Sequence, residues 1–229
     1  MAIGNSVSDE IREQRRKVML EGGFKEKLAY FFYYYKFHAL TIAAVTVFLI
    51  LLIVNFATKK ENILQVVYVN GFPNTDTQEF MNDFAKTIEF NPKKESVNLD
   101  DSFYISSGEQ TVYDQNNEEK LFIMSSAGSI DVCVTDESYL NSLLTNGYLL
   151  DLSTVLSEAQ MEKYKDNLIY FDSEEDMHEG ELPVAIRITD AAKIQSTNCF
   201  PNTDCYFTII MNSEHIDNSL AFLDYLETP

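Results

Sequence analysis

The chain is poor in the residues from which disulfide scaffolds and zinc sites are built. It holds three cysteines and three histidines among 229 residues, and it has no tryptophan. Three cysteines are too few for a disulfide-stapled fold, and no two histidines stand at a metal-ligand spacing that the cysteines complete. We therefore expect no disulfide framework and no metal site.

Motifs of nucleotide-binding and hydrolytic enzymes are also missing. The sequence has no G-x-x-x-x-G-K-[ST] loop, no G-x-G-x-x-G turn and no G-x-S-x-G elbow. Neighbouring carboxylates such as Asp100-Asp101 and Glu118-Glu119 are common in a chain this acidic, so they are weak evidence for acid–base catalysis. We expect a protein that is not an enzyme and that needs no cofactor.

One acidic segment has the alternating oxygens of a calcium loop. It runs over residues 172–176, but Met177 stands where such a loop needs glycine and Pro183 where it needs glutamate. We interpret the segment as a solvated acidic loop.

A stretch without any charged side chain runs from residue 37 to residue 58. Its central part, residues 39–57, reads ALTIAAVTVFLILLIVNFA and would span about 28 Å as a helix, close to the thickness of a bilayer core. A cleaved signal peptide is the alternative, but this apolar region is longer than a usual signal and begins late in the chain. We predict one transmembrane helix over residues 38–58.

The flanks of this stretch predict its orientation. Residues 1–36 hold seven Lys/Arg against five Asp/Glu, and an aromatic run, residues 30–36, lies immediately before the apolar stretch. Basic residues mark the cytoplasmic side and amphipathic rings favour the headgroup level. We predict a cytoplasmic tail over residues 1–37 with an interfacial aromatic belt, in a single-pass protein of the cell membrane.

The rest of the chain, residues 61–229, is long enough for one domain and strongly acidic. It holds eight Lys/Arg against 31 Asp/Glu, a net charge of −23. Such a domain repels nucleic acid and anionic headgroups. We expect an extracytoplasmic domain that binds no nucleic acid.

Strand and helix patterns alternate along this domain. Predicted strands cover residues 63–70, 96–106, 130–135, 182–188 and 206–211, and predicted helices cover residues 77–88, 109–127, 137–145, 157–164 and 216–226. This alternation predicts an α/β fold with one mostly parallel sheet and helices on both faces.

Ligands of open parallel sheets bind beyond the carboxyl ends of the strands. The loops there carry Asn70 and Phe72 after the first predicted strand and Asp136 and Tyr139 after the third. The two rings offer stacking faces and the two polar side chains offer hydrogen bonds. In the alternative interpretation, Phe72 packs in a turn and Asp136 caps the next helix.

The cysteines differ in their surroundings. Cys133 lies in an apolar run and is predicted to be a buried free thiol. Cys199 and Cys205 bracket a turn-rich stretch and could form a disulfide across a hairpin if the domain lies outside the cytoplasm.

The order of several segments resembles extracellular solute-binding proteins of the maltose-binding type. The resemblance rests on SAGSIDV at residues 126–132, DESYL at 136–140, NGYLLDL at 146–152, MNS at 211–213 and LAFLDYL at 220–226. It covers most of residues 61–229 and implies a periplasmic-binding-protein-like lobe on a bacterial cell envelope.

The chain departs from that family by its length. Such proteins have two lobes with a ligand cleft between them, whereas here the NGYLLDL run leads within a short distance to strands that resemble the return to the first lobe. One lobe cannot close over a ligand. We expect a non-catalytic, membrane-anchored module that contacts another envelope protein. The alternative is a reduced solute receptor that serves a transporter or sensor.

Overall fold

The protein divides into two units, Met1–Lys59 and Lys60–Pro229. The computed structural model describes residues 7–106, 108, 111–171 and 181–229. The acidic segment interpreted as a solvated loop, residues 172–176, lies outside the described residues.

The N-terminal unit contains two helices, α1 (Val7–Glu21) and α2 (Phe24–Thr58). Gly22 and Gly23 separate them, and α2 begins well before the uncharged stretch, so the aromatic run of residues 30–36 belongs to the same continuous helix. Within α2, the segment Tyr35–Phe56 has a mean hydropathy of 2.7. No residue in its most apolar part is buried. Among the described residues it is the one helix long and apolar enough to cross a membrane, a property that a signal sequence near the N-terminus shares.

The second unit is built on one six-stranded sheet. Its strands are β1 (Glu61–Val69), β2 (Glu95–Phe103), β3 (Val132–Asp136), β4 (Leu168–Phe171), β5 (Leu182–Arg187) and β6 (Cys205–Ile209). They lie in the order β2-β1-β3-β6-β5-β4. β1 pairs in parallel with β2 and β3, whereas the pairs β3–β6, β6–β5 and β5–β4 are antiparallel.

The expectation of a mostly parallel sheet is therefore wrong, because the sheet is mixed. The helices of the unit are α3 (Thr77–Ala85), α4 (Val112–Ser126), α5 (Glu137–Asn146), α6 (Glu158–Tyr164), α7 (Ala192–Thr197) and α8 (Ile216–Glu227). A parallel connection must carry the chain back along the whole strand. The connection between β5 and β6 holds only the short helix α7, of six residues, and β6 pairs antiparallel with β5.

Both faces of the sheet are covered, as the sequence predicts. Along β1, Leu64, Val66 and Tyr68 belong to the larger core cluster, which also holds the buried side chains of α3 and α8. The alternate residues Val67 and Val69 belong to a second cluster with buried side chains of α4 and α5. This division follows from the two-residue period of a strand. It confirms an α/β unit with helices on both faces of one sheet.

Candidate functional site

Asn70 and Asp136 meet at the edge formed by the carboxyl ends of β1, β2 and β3, here called the carboxyl edge. The Asn70 amide donates to Asp136 Oδ2 at 3.0 Å, and Asn70 Oδ1 accepts from the backbone N–H of Ile105 at 2.8 Å. Asn70 has a φ of 61°, a left-handed conformation that asparagine tolerates better than most residues. One side chain thus connects the ends of all three strands.

Asp136 is also the N-cap of α5. Its Oδ1 accepts from the backbone N–H of Tyr139 at 3.1 Å and from the Ser138 hydroxyl at 2.9 Å. The alternative interpretation, in which this carboxylate caps the following helix, is confirmed. The two polar side chains predicted at this edge therefore already serve the fold with their hydrogen bonds.

Phe72 points outward at the same edge. Its ring is 52% exposed, Tyr104 beyond β2 is 46% exposed, and the two ring centroids lie 6.0 Å apart. The backbone N–H of Phe72 donates to the Cys199 carbonyl at 2.8 Å, which holds the turn against the loop before β6. Phe72 and Tyr104 form an exposed aromatic pair. Sequence reasoning missed Tyr104, which lies within the predicted strand of residues 96–106.

Tyr139 does not join the other three predicted residues on the carboxyl edge. It is only 7% exposed and packs in the cluster beneath α4 and α5. Burial raises the pKa of the Tyr139 hydroxyl far above its ordinary value, so the group stays protonated and neutral. The structure therefore brings Asn70 and Asp136 into contact, places Phe72 beside Tyr104, and directs Tyr139 elsewhere.

Tyr139 lines a groove between α4 and α5. The groove has a volume of about 330 Å³, and its walls include Glu118, Glu119, Phe122, Ser125, Tyr139 and Tyr148. The rings of Phe122 and Tyr148 meet edge to face, with centroids 5.7 Å apart and an interplanar angle of 78°. Sequence reasoning noted Glu118-Glu119 only as part of the general acidity. The helical spacing that places Glu118, Phe122 and Ser125 along one side of α4 was the signal available.

A buried carboxylate organises the opposite edge of the sheet, just before β3. Asp131 accepts from the Gln65 backbone N–H at 2.7 Å and from the Ser213 hydroxyl at 2.7 Å, and its Oδ1 lies 3.1 Å from His215 Nδ1. Ser213 bonds to the carboxylate and not to the imidazole, so these residues lack the serine–histidine contact of a catalytic triad. The cluster ties β1 and β3 to the segment before α8.

All three cysteines are buried free thiols. The prediction for Cys133 is confirmed, and burial raises its pKa to about 12. The disulfide considered for Cys199 and Cys205 is not formed. The Cys199 sulfur lies 3.4 Å from the Thr197 hydroxyl and 3.9 Å from the Ile194 carbonyl, at the end of α7, while Cys205 begins β6. Burial raises the pKa of both thiols, that of Cys205 to about 12.

No group of three or more His, Cys, Asp or Glu side chains is placed to hold a metal ion within the part of the chain that the structure describes. The buried carboxylate Asp131 has a single histidine beside it, and its remaining partners are a serine hydroxyl and a backbone N–H.

The geometry thus defines an acidic α/β unit with three distinct features: an exposed aromatic pair, a groove and a buried carboxylate cluster. Comparison with protein-family models, with curated proteins and with solved structures gives no match.

Proposed function

We propose that the chain is a membrane-anchored binding module, in which α2 crosses the bilayer once and the acidic α/β unit contacts another protein of the cell envelope. The exposed aromatic pair, Phe72 and Tyr104, is the observation that carries the proposed contact. The resemblance of the sequence to solute-binding proteins adds the expectation of a single lobe that binds without catalysis.

The exposed apolar surface of α2 supports the membrane anchor. The 22-residue segment Tyr35–Phe56 has a mean hydropathy of 2.7, and its most apolar part contains no buried residue. Contiguous apolar surface of this extent is unfavourable in water, and a bilayer core of about 30 Å matches its length as a helix. The excess of basic residues before the stretch supports a cytoplasmic N-terminus, with the C-terminal unit outside.

The aromatic pair supports a protein contact because large rings dominate the energetics of protein interfaces. Tyrosine and other large side chains that are exposed together commonly become the buried centre of a complex. Phe72 and Tyr104 are each about half exposed, and their loops are anchored by backbone hydrogen bonds, so little ordering is needed on binding. The polar residues beside them, Asn70 and Asp136, are engaged in holding the edge together. This arrangement favours binding over catalysis.

A photo-crosslinker tests the contact in native membranes. We would place p-benzoylphenylalanine at position 72 of the full chain, irradiate the cells and resolve adducts by mass spectrometry. The matched control carries the same group at position 170, because Tyr170 is also 46% exposed but lies on β4 at the far end of the sheet. We expect a discrete adduct with one envelope protein from position 72, lost when Tyr104 is replaced by alanine. Equal adducts from both positions, or none from position 72, would contradict the contact.

The groove between α4 and α5 favours a second candidate function, a reduced solute receptor. Its volume of about 330 Å³ falls at the lower end of the range, about 300–1,000 Å³, found for small-molecule sites. It lies on one lobe alone, so a ligand would be held by the walls of the groove without closure of a second lobe. Of the four ligand-binding residues predicted from the sequence, Tyr139 is the one that this site would use.

A further inference from the structure

We infer that the groove between α4 and α5 binds an organic cation of the quaternary ammonium class, held between the carboxylates of Glu118 and Glu119 and the rings of Phe122 and Tyr148. The inference rests on the second candidate function and is independent of the aromatic pair at the carboxyl edge. Failure of the cross-linking experiment would leave it standing, and its own failure would leave the protein contact standing.

The charge of the groove selects a cation. Two carboxylates line it, and none of its lining residues within the described part of the chain is lysine or arginine. Lys120, the nearest basic residue along α4, lies over the Phe103 ring at 4.3 Å and pairs with Asp100 at 3.7 Å, away from the groove. Residues 61–229 carry a net charge of −23, which raises the local concentration of cations further.

The aromatic walls select an organic cation over a metal ion. Phe122 and Tyr148 pack edge to face, and both line the groove. The face of an aromatic ring attracts a cation, and several rings together recognise quaternary ammonium groups. Hard metal ions need oxygen ligands on most sides, which rings cannot supply.

Two largely buried residues direct hydroxyl groups toward the groove. Tyr139 is 7% exposed and Ser125 is 3% exposed, both line the groove, and neither hydroxyl hydrogen-bonds to any residue that the structure describes. Tyr139 stays neutral, because burial raises the pKa of its hydroxyl, and so it remains a donor. A ligand with a polar group beside its ammonium head, such as the hydroxyl of choline, would satisfy these atoms.

Choline and its uncharged isostere provide the test. The full chain in maltoside micelles, free of choline-containing lipid, is titrated with choline and separately with 3,3-dimethylbutan-1-ol, and binding is followed by saturation-transfer NMR. The two probes share a shape and differ in charge. We expect saturable binding of choline and affinity for the neutral isostere weaker by about tenfold or more, as loss of a cation–π and charge contribution predicts. Equal affinities, or no saturable choline binding, would overturn the inference.

Substitutions locate the site. Joint replacement Glu118→Gln and Glu119→Gln removes both charges with little change of shape, and we expect choline affinity to fall about tenfold. Tyr148→Leu should weaken choline more than it weakens the isostere. The matched control is Glu158→Gln, an exposed charge on α6 under the opposite face of the sheet, which should leave affinity unchanged. Unchanged affinity in the double variant would overturn the inference, and circular dichroism confirms that each variant is folded.

The last arm separates a soluble cation from a lipid headgroup. The chain is placed in nanodiscs of phosphatidylglycerol alone or mixed with phosphatidylcholine, and free choline is titrated into each. Weaker apparent binding of choline in the mixed discs identifies the headgroup as a competing source. Equal binding in both identifies a soluble ligand. Either result requires the ammonium site, whereas absence of choline binding in both kinds of disc contradicts it.

Discussion

Two aspartates, one at each end of β3, organise opposite edges of the sheet. Asp136 accepts from Asn70 and caps α5, while Asp131 accepts from β1 and from Ser213 before α8. Both are short side chains that place two oxygens close to the backbone, where N–H groups need partners. Asp131 is the more deeply buried, so its partners depend on it more completely.

Replacing Asp131 should destabilise the α/β unit strongly. Asp131→Ala leaves the Gln65 N–H, the Ser213 hydroxyl and His215 without their acceptor, and we expect the free energy of unfolding to fall by about 3 kcal/mol. Urea titration in maltoside micelles, followed by far-UV circular dichroism, measures the change. The matched control is Asp166→Ala at an exposed position, which should change stability by about 0.5 kcal/mol or less. A similar loss in both variants would show that Asp131 has no special role.

At the scale of elements, two helices on the same face of the sheet end in glycines with different surroundings. Gly128 follows α4 with a φ of +63°, and Gly147 follows α5 with a φ of +68°. A Cβ at position 128 would meet the Asn212 carbonyl oxygen at 2.9 Å, whereas a Cβ at position 147 would meet nothing within 4 Å. The first glycine is therefore needed for conformation and for close approach, the second for conformation alone.

Alanine substitutions at these two glycines can be compared with each other, because only position 128 also has a close neighbour. Gly147→Ala should cost about 1–2 kcal/mol, the penalty of a left-handed conformation in a residue with a side chain. Gly128→Ala should cost about 1 kcal/mol more, because the chain near Asn212 must also shift to relieve the contact. Parallel urea titrations of the two variants measure the difference. Equal losses would show that the segment around Asn212 yields without cost.

The strand directions divide the sheet into a parallel and an antiparallel half. The chain from β1 to β2 and from β2 to β3 passes through α3 and α4, which return it along the sheet and allow parallel pairing. The connection through α7 leads instead to β6, which runs antiparallel to β5. The groove belongs to the parallel half, where α4 and α5 lie side by side over β1 and β3.

At the scale of the whole molecule, an apolar helix and an acidic α/β unit are joined through Lys59 and Lys60. The proposed topology places a net charge of −23 outside the membrane and the basic tail inside. In that arrangement the acidic unit and anionic headgroups repel each other.

Protease protection tests this topology. We would place one epitope tag at the N-terminus and another at the C-terminus, and treat intact protoplasts with protease. We expect loss of the C-terminal tag and survival of the N-terminal tag, because basic residues hold the tail in the cytoplasm. Detergent-permeabilised cells, in which both tags should be lost, are the control. An N-terminal tag that is absent from the mature protein would show that the apolar stretch is a cleaved signal, and a protected C-terminal tag would show the reverse orientation.

Local sequence was sufficient to predict most of the helices and strands. The predicted strand at residues 63–70 corresponds to β1, the helix at 137–145 to α5 and the helix at 216–226 to α8, because hydrophobic period, caps and glycines act over a few residues. The same local signals failed for β4 and α7, four and six residues long, since segments so short contain at most two repeats of a strand or helix pattern.

What the sequence determined by itself about this protein is the long uncharged stretch, the division of charge between its two parts, and the alternation of elements that makes an α/β unit. Each depends on composition or on neighbours along the chain. The tertiary structure alone decided the direction of β6, the pairing of Phe72 with Tyr104, the removal of Tyr139 from the carboxyl edge into the groove, and the contact of Asp131 with His215. These depend on residues far apart in sequence, whose meeting is set by how the strands pack.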